Sequence, residues 1–286
     1  METRVIDFYD EFKCLGGQCP YSCCKGWEID IDEDTARKYR TMSGPLADEI
    51  RSHTLEENGT MHFVLDPNGN CPMLRKDGLC RLILARGEED LCDICALHPR
   101  FFEDCGDFEL WGLGLSCEET CDLLLSSSLA FTMDDLPEEY SFRELLDLLC
   151  VPFTEEALTF RPMDSREQCL SLLALLRKTE PIDTNWIPEL RALEKELTGQ
   201  RTLAISDSGH RIQLQKLYSY FQYRQLERLK SFSFFQISAF ARACTQYILL
   251  NDLVYGRDPE HIRRLSEQIE YSEENTLLLL SQADVI

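Results

Sequence analysis

The sequence has few basic residues for its length and no long apolar run. Its 286 residues include 29 Lys and Arg against 51 Asp and Glu, a formal net charge of −22. Nucleic-acid binding depends on neutralising phosphates with basic side chains, so this charge predicts no nucleic-acid partner. No segment approaches the ~20 apolar residues of a membrane-spanning helix, so we expect no membrane partner. The acidic surface would suit a basic protein or a lysine side chain, or serve only solubility.

The first residues, METRVIDFYDEFKC, also lack the apolar run behind a basic start that marks a secretory signal. We therefore expect a cytoplasmic location, where thiols stay reduced. A chain of this length buries a core without help from disulfide bonds. Dense cysteine in such a protein indicates metal binding or redox chemistry, and disulfide pairing is the alternative.

Cysteine is scarce after residue 121 and abundant before it. Eleven of the fourteen cysteines lie in residues 14–121, and the first four follow the spacing C-x4-C-x3-C-C. Zinc fingers favour C-x2-C pairs, and bacterial ferredoxins use C-x2-C-x2-C-x3-C-P. Only Cys92 and Cys95 form a C-x2-C pair here, so the spacing does not decide between iron and zinc.

Not every cysteine is expected to bind metal. In an extended chain, adjacent side chains point to opposite sides, so Cys23 and Cys24 share one ion only if the chain turns tightly. Otherwise they serve different sites, or one is a packing residue. Four further cysteines are expected to pack as small apolar side chains: Cys105, Cys150, Cys169 and Cys244.

The pattern along the chain predicts a mainly α-helical fold. A small α+β, cysteine-rich, metal-binding part is expected at residues 1–130, and a helical part at 131–286. In the first part, IDIDEDTARKYRTM predicts a helix with Asp32 or Asp34 as N-cap. MHFVLD predicts a strand, and GLCRLIL a second strand that completes a small hairpin. In the second part, Ser141 with Glu144 three residues later predicts a capping box.

Four stretches resemble the flagellin lysine-N-methylase family, whose N-terminal part belongs to a broader group of cysteine-rich zinc- or iron-chelating domains. They are FKCLGGQCPYSCCKGWEIDID (12–32), CPMLRKDGLCRL (71–82), CALHPR (95–100) and LGLSCEE (113–119). A fifth, LYSYFQYRQL (217–226), is similar to an aromatic helix with an arginine in the C-terminal part of that family.

The resemblance implies a methyltransferase, a transferase that uses S-adenosylmethionine as methyl donor and lysine side chains of flagellin as acceptors. It also implies an iron–sulfur centre, a [4Fe–4S] cluster, alone or with a structural zinc. A non-catalytic iron–sulfur or zinc-binding module for electron transfer or protein interaction is the alternative. The family's metal-ligating cysteines fall on eight positions of this chain: Cys14, Cys19, Cys23, Cys24, Cys71, Cys80, Cys95 and Cys117.

Methyl transfer to lysine requires a neutral amine, whereas free lysine, with a pKa of about 10.4, is protonated at neutral pH. The site must therefore desolvate the amine or place a base beside it. Tyr218 and Tyr220 are candidates for a pocket that guides the lysine and accepts its proton, with Arg224 holding a carboxylate. Aromatic residues at this helical spacing are also typical of a core.

Two residues near the cysteines are candidates for cofactor binding. Trp27 follows the adjacent cysteine pair and is expected to shield a metal from water, although burial alone would explain an apolar residue there. Arg100 is expected to pair with a cluster sulfide or a cofactor carboxylate, and a surface ion pair is the alternative.

Overall fold

The structure is a computed structural model that describes residues 2–27, 29–133, 138–199 and 207–283. Most of these residues are helical, and the strands are few and short. This confirms the predicted mainly helical class with a small sheet region early in the chain. None of the described helices is long and apolar enough to cross a membrane.

The strands within the described ranges are β1 (Glu2–Ile6), β2 (Ile29–Ile31), β3 (Thr54–Glu57), β4 (Thr60–Phe63), β5 (Arg100–Asp104), β6 (Phe108–Leu113) and β7 (Phe131–Met133). The α-helices are α1 (Glu33–Thr41), α2 (Pro45–Ser52), α3 (Arg81–Arg86), α4 (Asp93–Leu97), α5 (Glu118–Ser126), α6 (Phe142–Leu148), α7 (Glu155–Leu158), α8 (Arg166–Leu176), α9 (Trp186–Gly199), α10 (Ser208–Arg224), α11 (Phe234–Tyr255), α12 (Glu260–Glu270) and α13 (Glu273–Gln282).

The chain divides into two compact units. Unit 1 contains the described residues up to Phe12 and those from Phe101 onwards, and unit 2 runs from Lys13 to Arg100. Unit 1 has a four-stranded sheet in the order β5-β6-β1-β7, in which β1 is parallel to β6 and antiparallel to β7. Unit 2 has an antiparallel sheet in the order β2-β4-β3.

These units divide the chain at other points than residue 130, where the sequence pattern placed a domain boundary. The reason lies in β1, whose residues pair with β6 from Glu2 opposite Phe108 to Val5 opposite Trp111. A parallel pair needs a long connection between its strands, and unit 2 is the connection. The start of the chain thus completes a sheet whose other strands begin only at Arg100.

The start of α1 follows the sequence prediction. The Asp32 carboxylate accepts a hydrogen bond from the Thr35 N–H at 2.9 Å and so caps the helix. Its other oxygen accepts from the Asp93 N–H at 2.9 Å. One side chain therefore joins the beginnings of α1 and α4, and both bonds help to lower the pKa of this carboxyl against the opposing effect of burial.

The strand predicted for GLCRLIL is wrong, because residues 81–86 form α3. Arg, Leu and Ala are good helix formers, and Gly87, with a φ of 81°, follows the helix as its C-cap. The strand predicted for MHFVLD corresponds to β4, but its hairpin partner is β3. The two are joined by Asn58 and Gly59, whose φ angles of 53° and 88° suit a tight hairpin turn.

Helix α11 forms the centre of unit 1. Its side chains are buried on nearly every face, as expected of a helix that is apolar all round. A capping box of Ser233 and Gln236 begins it, and Gly256 ends it. The capping box predicted at Ser141 and Glu144 is also present, at the start of α6.

Candidate functional site

Backbone pairing in unit 2 brings three distant cysteines together. The Cys71 N–H donates to the Cys24 carbonyl at 2.8 Å, which joins the segment before β2 to the segment after β4. Leu74, three residues further on, forms an antiparallel bridge with Cys80. Main-chain hydrogen bonds therefore hold the segments around Cys24, Cys71 and Cys80 side by side.

A fourth segment adds Cys92 and Cys95 at the start of α4. The Cys95 N–H donates to the Cys92 carbonyl at 2.9 Å, and the two side chains are also hydrogen-bonded to each other. The buried Tyr39 hydroxyl of α1 donates to the Asp90 carbonyl at 2.6 Å. The segment that carries the C-x2-C pair is thus fixed to α1 at its beginning.

We call Cys24, Cys71, Cys80, Cys92 and Cys95 the thiol cluster. Cys71 and Cys92 are buried in the apolar core of unit 2, and the other three pack against that core. The hydrogen bond to Cys92 and burial raise the pKa of Cys95, and charges on Cys24 and Cys71 add to this effect. Burial raises the pKa of Cys80, and charges on Cys24 and Cys92 add to it. Mutual influence of this kind marks the five sulfur atoms as electrostatic neighbours.

Cys24 is the acidic member of the thiol cluster. A hydrogen bond from the Cys23 side chain lowers the pKa of the Cys24 thiol to about 7, against the opposing effect of burial. Ser22 and the positive charge of Lys25 lower this pKa further. A thiol with this pKa is about half ionised at pH 7, and the thiolate is the form that binds metal.

Three of the other four members, Cys71, Cys80 and Cys95, have a raised pKa and are therefore protonated thiols at neutral pH. Burial raises the pKa of Cys71 to about 12 and also raises that of Cys80. The hydrogen bond between Cys92 and Cys95 lowers the pKa of Cys92 and raises that of Cys95. A bound cation would favour deprotonation of all five, because metal binding releases thiol protons.

Thiolate sulfur is the usual ligand of iron–sulfur clusters and of structural zinc, so the donor set fits a thiolate-bound metal by its chemistry. All fourteen cysteines lie among the described residues, and each is a thiol. Across the described ranges, however, no group of three or more His, Cys, Asp or Glu side chains is arranged to hold a metal ion. The thiol cluster is a set of neighbouring donors rather than a closed coordination shell.

The structure places the eight predicted ligands in different settings. Cys24, Cys71, Cys80 and Cys95 are members of the thiol cluster. The Cys23 side chain forms a hydrogen bond with the Cys24 side chain. Three others lie outside the cluster. The Cys14 sulfur accepts a hydrogen bond from the Gly16 N–H at 3.4 Å, and the Cys19 thiol donates one to the Tyr21 carbonyl at 3.2 Å. Cys117 is the N-cap residue of α5 in unit 1. The assignment of these eight residues as ligands stays a prediction.

Cys92 is not among the eight ligands that the resemblance implies. Its C-x2-C spacing with Cys95 was the available signal, since this is the spacing that zinc sites favour. Of the cysteines expected to pack as small apolar side chains, Cys169 and Cys244 are buried and Cys105 is partly buried. Cys150 is exposed, so that expectation was wrong for it.

Trp27 and Arg100 both lie in unit 2. Trp27 packs against the same apolar core as the thiol cluster, and its indole N–H donates to the Cys23 carbonyl at 2.6 Å. Its ring centroid is 6.4 Å from that of His98, whose pKa burial lowers to about 4. Arg100 is half-buried at the start of β5. The cofactor-binding roles of Trp27 and Arg100 stay predictions.

The tyrosines of α10 hold backbone elements in place. The Tyr218 hydroxyl donates to the Ala157 carbonyl at 2.8 Å, and the Tyr220 hydroxyl donates to the Leu113 carbonyl and accepts from the Leu113 N–H. Burial raises the pKa of Tyr218 to about 12 and raises that of Tyr220 as well. Both phenols are thus engaged with main-chain groups, and their catalytic role stays a prediction.

Arg224, at the end of α10, lies among acidic and aromatic side chains. Its guanidinium forms ion pairs with Glu103 and, at 3.6 Å, with Glu270. It also lies 3.8 Å from the centre of the Phe101 ring, within the range of a cation–π contact. Arg224 was expected to hold a carboxylate, and it pairs with two carboxylates of the chain itself. A catalytic role for Arg224 stays a prediction.

Comparison with known proteins agrees with the resemblance in the sequence. A lysine-N-methylase from Salmonella typhimurium is 28% identical over 166 residues, and so is one from Salmonella choleraesuis. The chain resembles lysine-N-methylases. The alignment covers 52% of this chain and 41% of each relative, so the chain spans about two fifths of the length of the lysine-N-methylases that it matches.

The flagellar biosynthetic protein FliU from Salmonella muenchen is also similar, with 28% identity over 134 residues. That alignment covers 45% of this chain and 79% of FliU. No protein-family model matches the chain. No solved structure matches it either. The resemblance to lysine-N-methylases and to a flagellar protein therefore comes from sequence and covers about half of the chain.

Proposed function

We propose that the protein transfers methyl groups from S-adenosylmethionine to lysine side chains of a flagellar protein, and that its thiol cluster holds an iron–sulfur cluster. The similarity to two lysine-N-methylases and to FliU over about half of the chain is the observation that carries this proposal. The gathering of five thiols from four segments in one core supports the metal part of it. A structural zinc on some of the same thiols is the variant that the donor set also fits.

In this proposal, the cysteines that would hold the metal are drawn from the five members of the thiol cluster, Cys24, Cys71, Cys80, Cys92 and Cys95. When bound, an iron–sulfur cluster would supply Lewis-acid chemistry toward the amino and carboxyl groups of the methyl donor. Trp27 packs on the same core and excludes water from the thiols, which strengthens electrostatic interactions there.

The net charge of the protein favours a basic side chain as the methyl acceptor. Methyl transfer from a sulfonium needs the lone pair of a neutral amine, so the lysine must first lose a proton. A net charge of −22 favours the approach of a basic side chain. The same charge disfavours a nucleic acid as substrate.

The proposed activity is tested by incubating anaerobically reconstituted protein with flagellin and S-adenosylmethionine and measuring the mass of flagellin. We expect mass increases of whole methyl groups that map to lysines. Replacement C95S should abolish them, whereas C150S, which changes an exposed cysteine outside the thiol cluster, should not. Unchanged flagellin after incubation with metal-loaded protein would contradict the proposal.

A non-catalytic metal module, for electron transfer or protein interaction, is the second candidate. The hydrogen bonds of Tyr218 and Tyr220 with main-chain groups favour this candidate. While these hydrogen bonds are formed, neither phenol is available to accept the proton of a lysine. The two functions differ in one outcome. A module of this kind would bind metal on the thiol cluster and leave flagellin unmethylated.

A further inference from the structure

Unit 1 contains a cleft of about 350 Å³ that none of the residues discussed above lines. This volume lies at the lower end of the range of small-ligand sites. One part of the lining is aliphatic and another is polar and charged. The aliphatic residues are Leu125, Leu214, Leu217, Ile248 and Ile262, and the charged or titratable residues are His210, Asp252, Arg257 and Asp258.

Two histidines form hydrogen bonds with the Asp252 carboxylate, which lies at the polar part of the cleft. His210 Nε2 lies 2.8 Å from Asp252 Oδ2, and His261 Nδ1 lies 2.8 Å from Asp252 Oδ1. The side chains of His210 and Asp252 are each only 9% exposed. Because a carboxylate only accepts hydrogen bonds, both rings donate to it. Asp252 is thereby held in one orientation between α10 and α12.

This bonding fixes the role of the other nitrogen of each ring. When Nε2 of His210 carries the proton that Asp252 accepts, Nδ1 has a lone pair and becomes an acceptor. A carboxylate behind an imidazole orients the ring and stabilises the protonated imidazole that forms when it takes up a proton. The hydrogen bonds of the described residues give Nδ1 of His210 no partner, and His210 is one of the residues that line the cleft.

The charges around the cleft favour a cation. Arg257, on its rim, forms an ion pair with Asp207 at 2.9 Å and is neutralised by it. Asp258 adds a negative charge to the lining, and Glu118, whose buried Oε2 has no hydrogen-bond partner in the described part of the chain, lies within electrostatic reach of Asp258. Asp258 raises the pKa of Glu118, after burial and the charges of Asp122 and Glu260. Among the charged residues of the lining, Asp252 and Asp258 outnumber Arg257, so negative charge is in excess at this end of the cleft.

We propose that this cleft binds a primary alkylamine, the lysine side chain of the substrate, with its methylene stem on the aliphatic lining and its nitrogen at His210. The identity of this amine as the methylated lysine depends on the function proposed above. In the proton-transfer step, an N–H bond of the lysine ammonium breaks and an N–H bond forms at His210 Nδ1. The amine keeps the electron pair, and Asp252 stabilises the imidazolium. His261 is a positioning residue that holds Asp252.

The binding is tested on the intact protein with n-butylamine as the probe, by calorimetric titration at pH 8. We expect saturable binding of n-butylamine and much weaker binding of butyrate, which has a similar stem and the opposite charge. Stronger binding of butyrate than of butylamine, or no binding of either, would overturn the proposal. This measurement uses the wild-type protein, so it does not depend on the folding of a variant.

Replacement of the base gives the second test. H210Q should weaken the binding of n-butylamine about tenfold, as expected for the loss of one hydrogen bond to a charged group. H53Q replaces an exposed histidine of unit 2 and should leave the binding unchanged. Equal affinities of wild type and folded H210Q would overturn the role of His210.

The outcome separates this proposal from the proposed function. Binding of butylamine without methylation of flagellin would keep the cleft as an amine site and remove the methylase. Methylation of flagellin that is unaffected by H210Q, together with absent butylamine binding, would keep the methylase and remove the cleft as its lysine site.

Discussion

At the scale of single residues, main-chain pairing decides which cysteines become neighbours. The C-x4-C-x3-C-C motif is the most conspicuous feature of the sequence, but only its last cysteine, Cys24, enters the thiol cluster. The remaining members follow β4, begin α3 or begin α4. The sequence could predict that cysteines gather in this segment. It could not predict which of them do so, because that depends on hydrogen bonds such as the one from Cys71 to the Cys24 carbonyl.

Cys92 provides the first test at this scale. C92S should weaken metal binding at least about tenfold, since even the loss of an outer-sphere partner of a metal ligand costs that much. The metal content of the purified variant, measured by mass spectrometry after dialysis, checks this. C150S serves as the control because it makes the same change at an exposed site. Full metal content in C92S would remove Cys92 from the site.

Glu270 provides a test by pH. Burial raises the pKa of its carboxyl above the usual 4.5, despite the opposing charge of Arg224 and a hydrogen bond from Ser266. A folded-state pKa above the unfolded one means that ionisation disfavours the folded state. Stability contributed by protonated Glu270 is fully present below pH 4.5 and is lost as the pH rises through the folded-state pKa.

The variant E270Q cannot ionise at this position and should lack this loss. Its free energy of unfolding relative to wild type should therefore increase from pH 4 upwards and level off above the folded-state pKa of Glu270. Urea unfolding at a series of pH values checks this. A difference that is constant with pH, or that decreases as the pH rises, would contradict the raised pKa.

At the scale of helices and strands, local signals predicted several boundaries correctly. Asp32 caps α1, and Ser141 with Glu144 forms the capping box of α6. Both are side-chain bonds to main-chain groups within three residues, so the sequence contains the whole motif. The predicted strand at GLCRLIL failed for the opposite reason. A short apolar run fits either a strand or a helix by its pattern alone. Both edges of β4 are already paired, with β2 and β3, so this segment has no place beside β4 in the sheet.

Tyr223 of α10 connects that helix to the sheet of unit 1 and supplies the test at this scale. Its buried hydroxyl lies 2.8 Å from the Arg4 carbonyl of β1 and 2.9 Å from the Trp111 carbonyl of β6. Y223F removes the one O–H that these two carbonyls share and should lower the free energy of unfolding by about 1–3 kcal/mol. Chemical denaturation measures the change.

The control for Y223F is Y140F, which removes a hydroxyl that bonds to Glu138 on the surface. This change should stay within about 0.5 kcal/mol of wild type. Equal stability losses in the two variants would show that the buried hydroxyl of Tyr223 contributes nothing specific to unit 1.

At the scale of the whole molecule, the sequence predicted two parts with different character, one rich in cysteine and one helical. Composition alone could not reveal that β1 pairs with β6, because a parallel pairing over about a hundred residues leaves no local signal. The tyrosines of α10 show a similar limit. Their spacing was compatible with a pocket or with a core, and only their bonds to main-chain groups of other elements distinguish the two.

The cleft at His210 was not predicted at all. Its histidine, carboxylate and aliphatic residues come from α5, α10, α11 and α12, and none of them forms a recognisable motif in the sequence. The donors of the thiol cluster, in contrast, share one residue type, and this made the cluster visible before its geometry was known.

The central claim of this account is that the thiol cluster of unit 2 holds a metal. X-ray absorption spectroscopy of anaerobically purified protein, at the iron and zinc edges, measures both the identity of the metal and its ligands. The account predicts iron or zinc in stoichiometric amount with sulfur as the ligand atom. Protein without bound metal, or metal surrounded by oxygen and nitrogen alone, would contradict it.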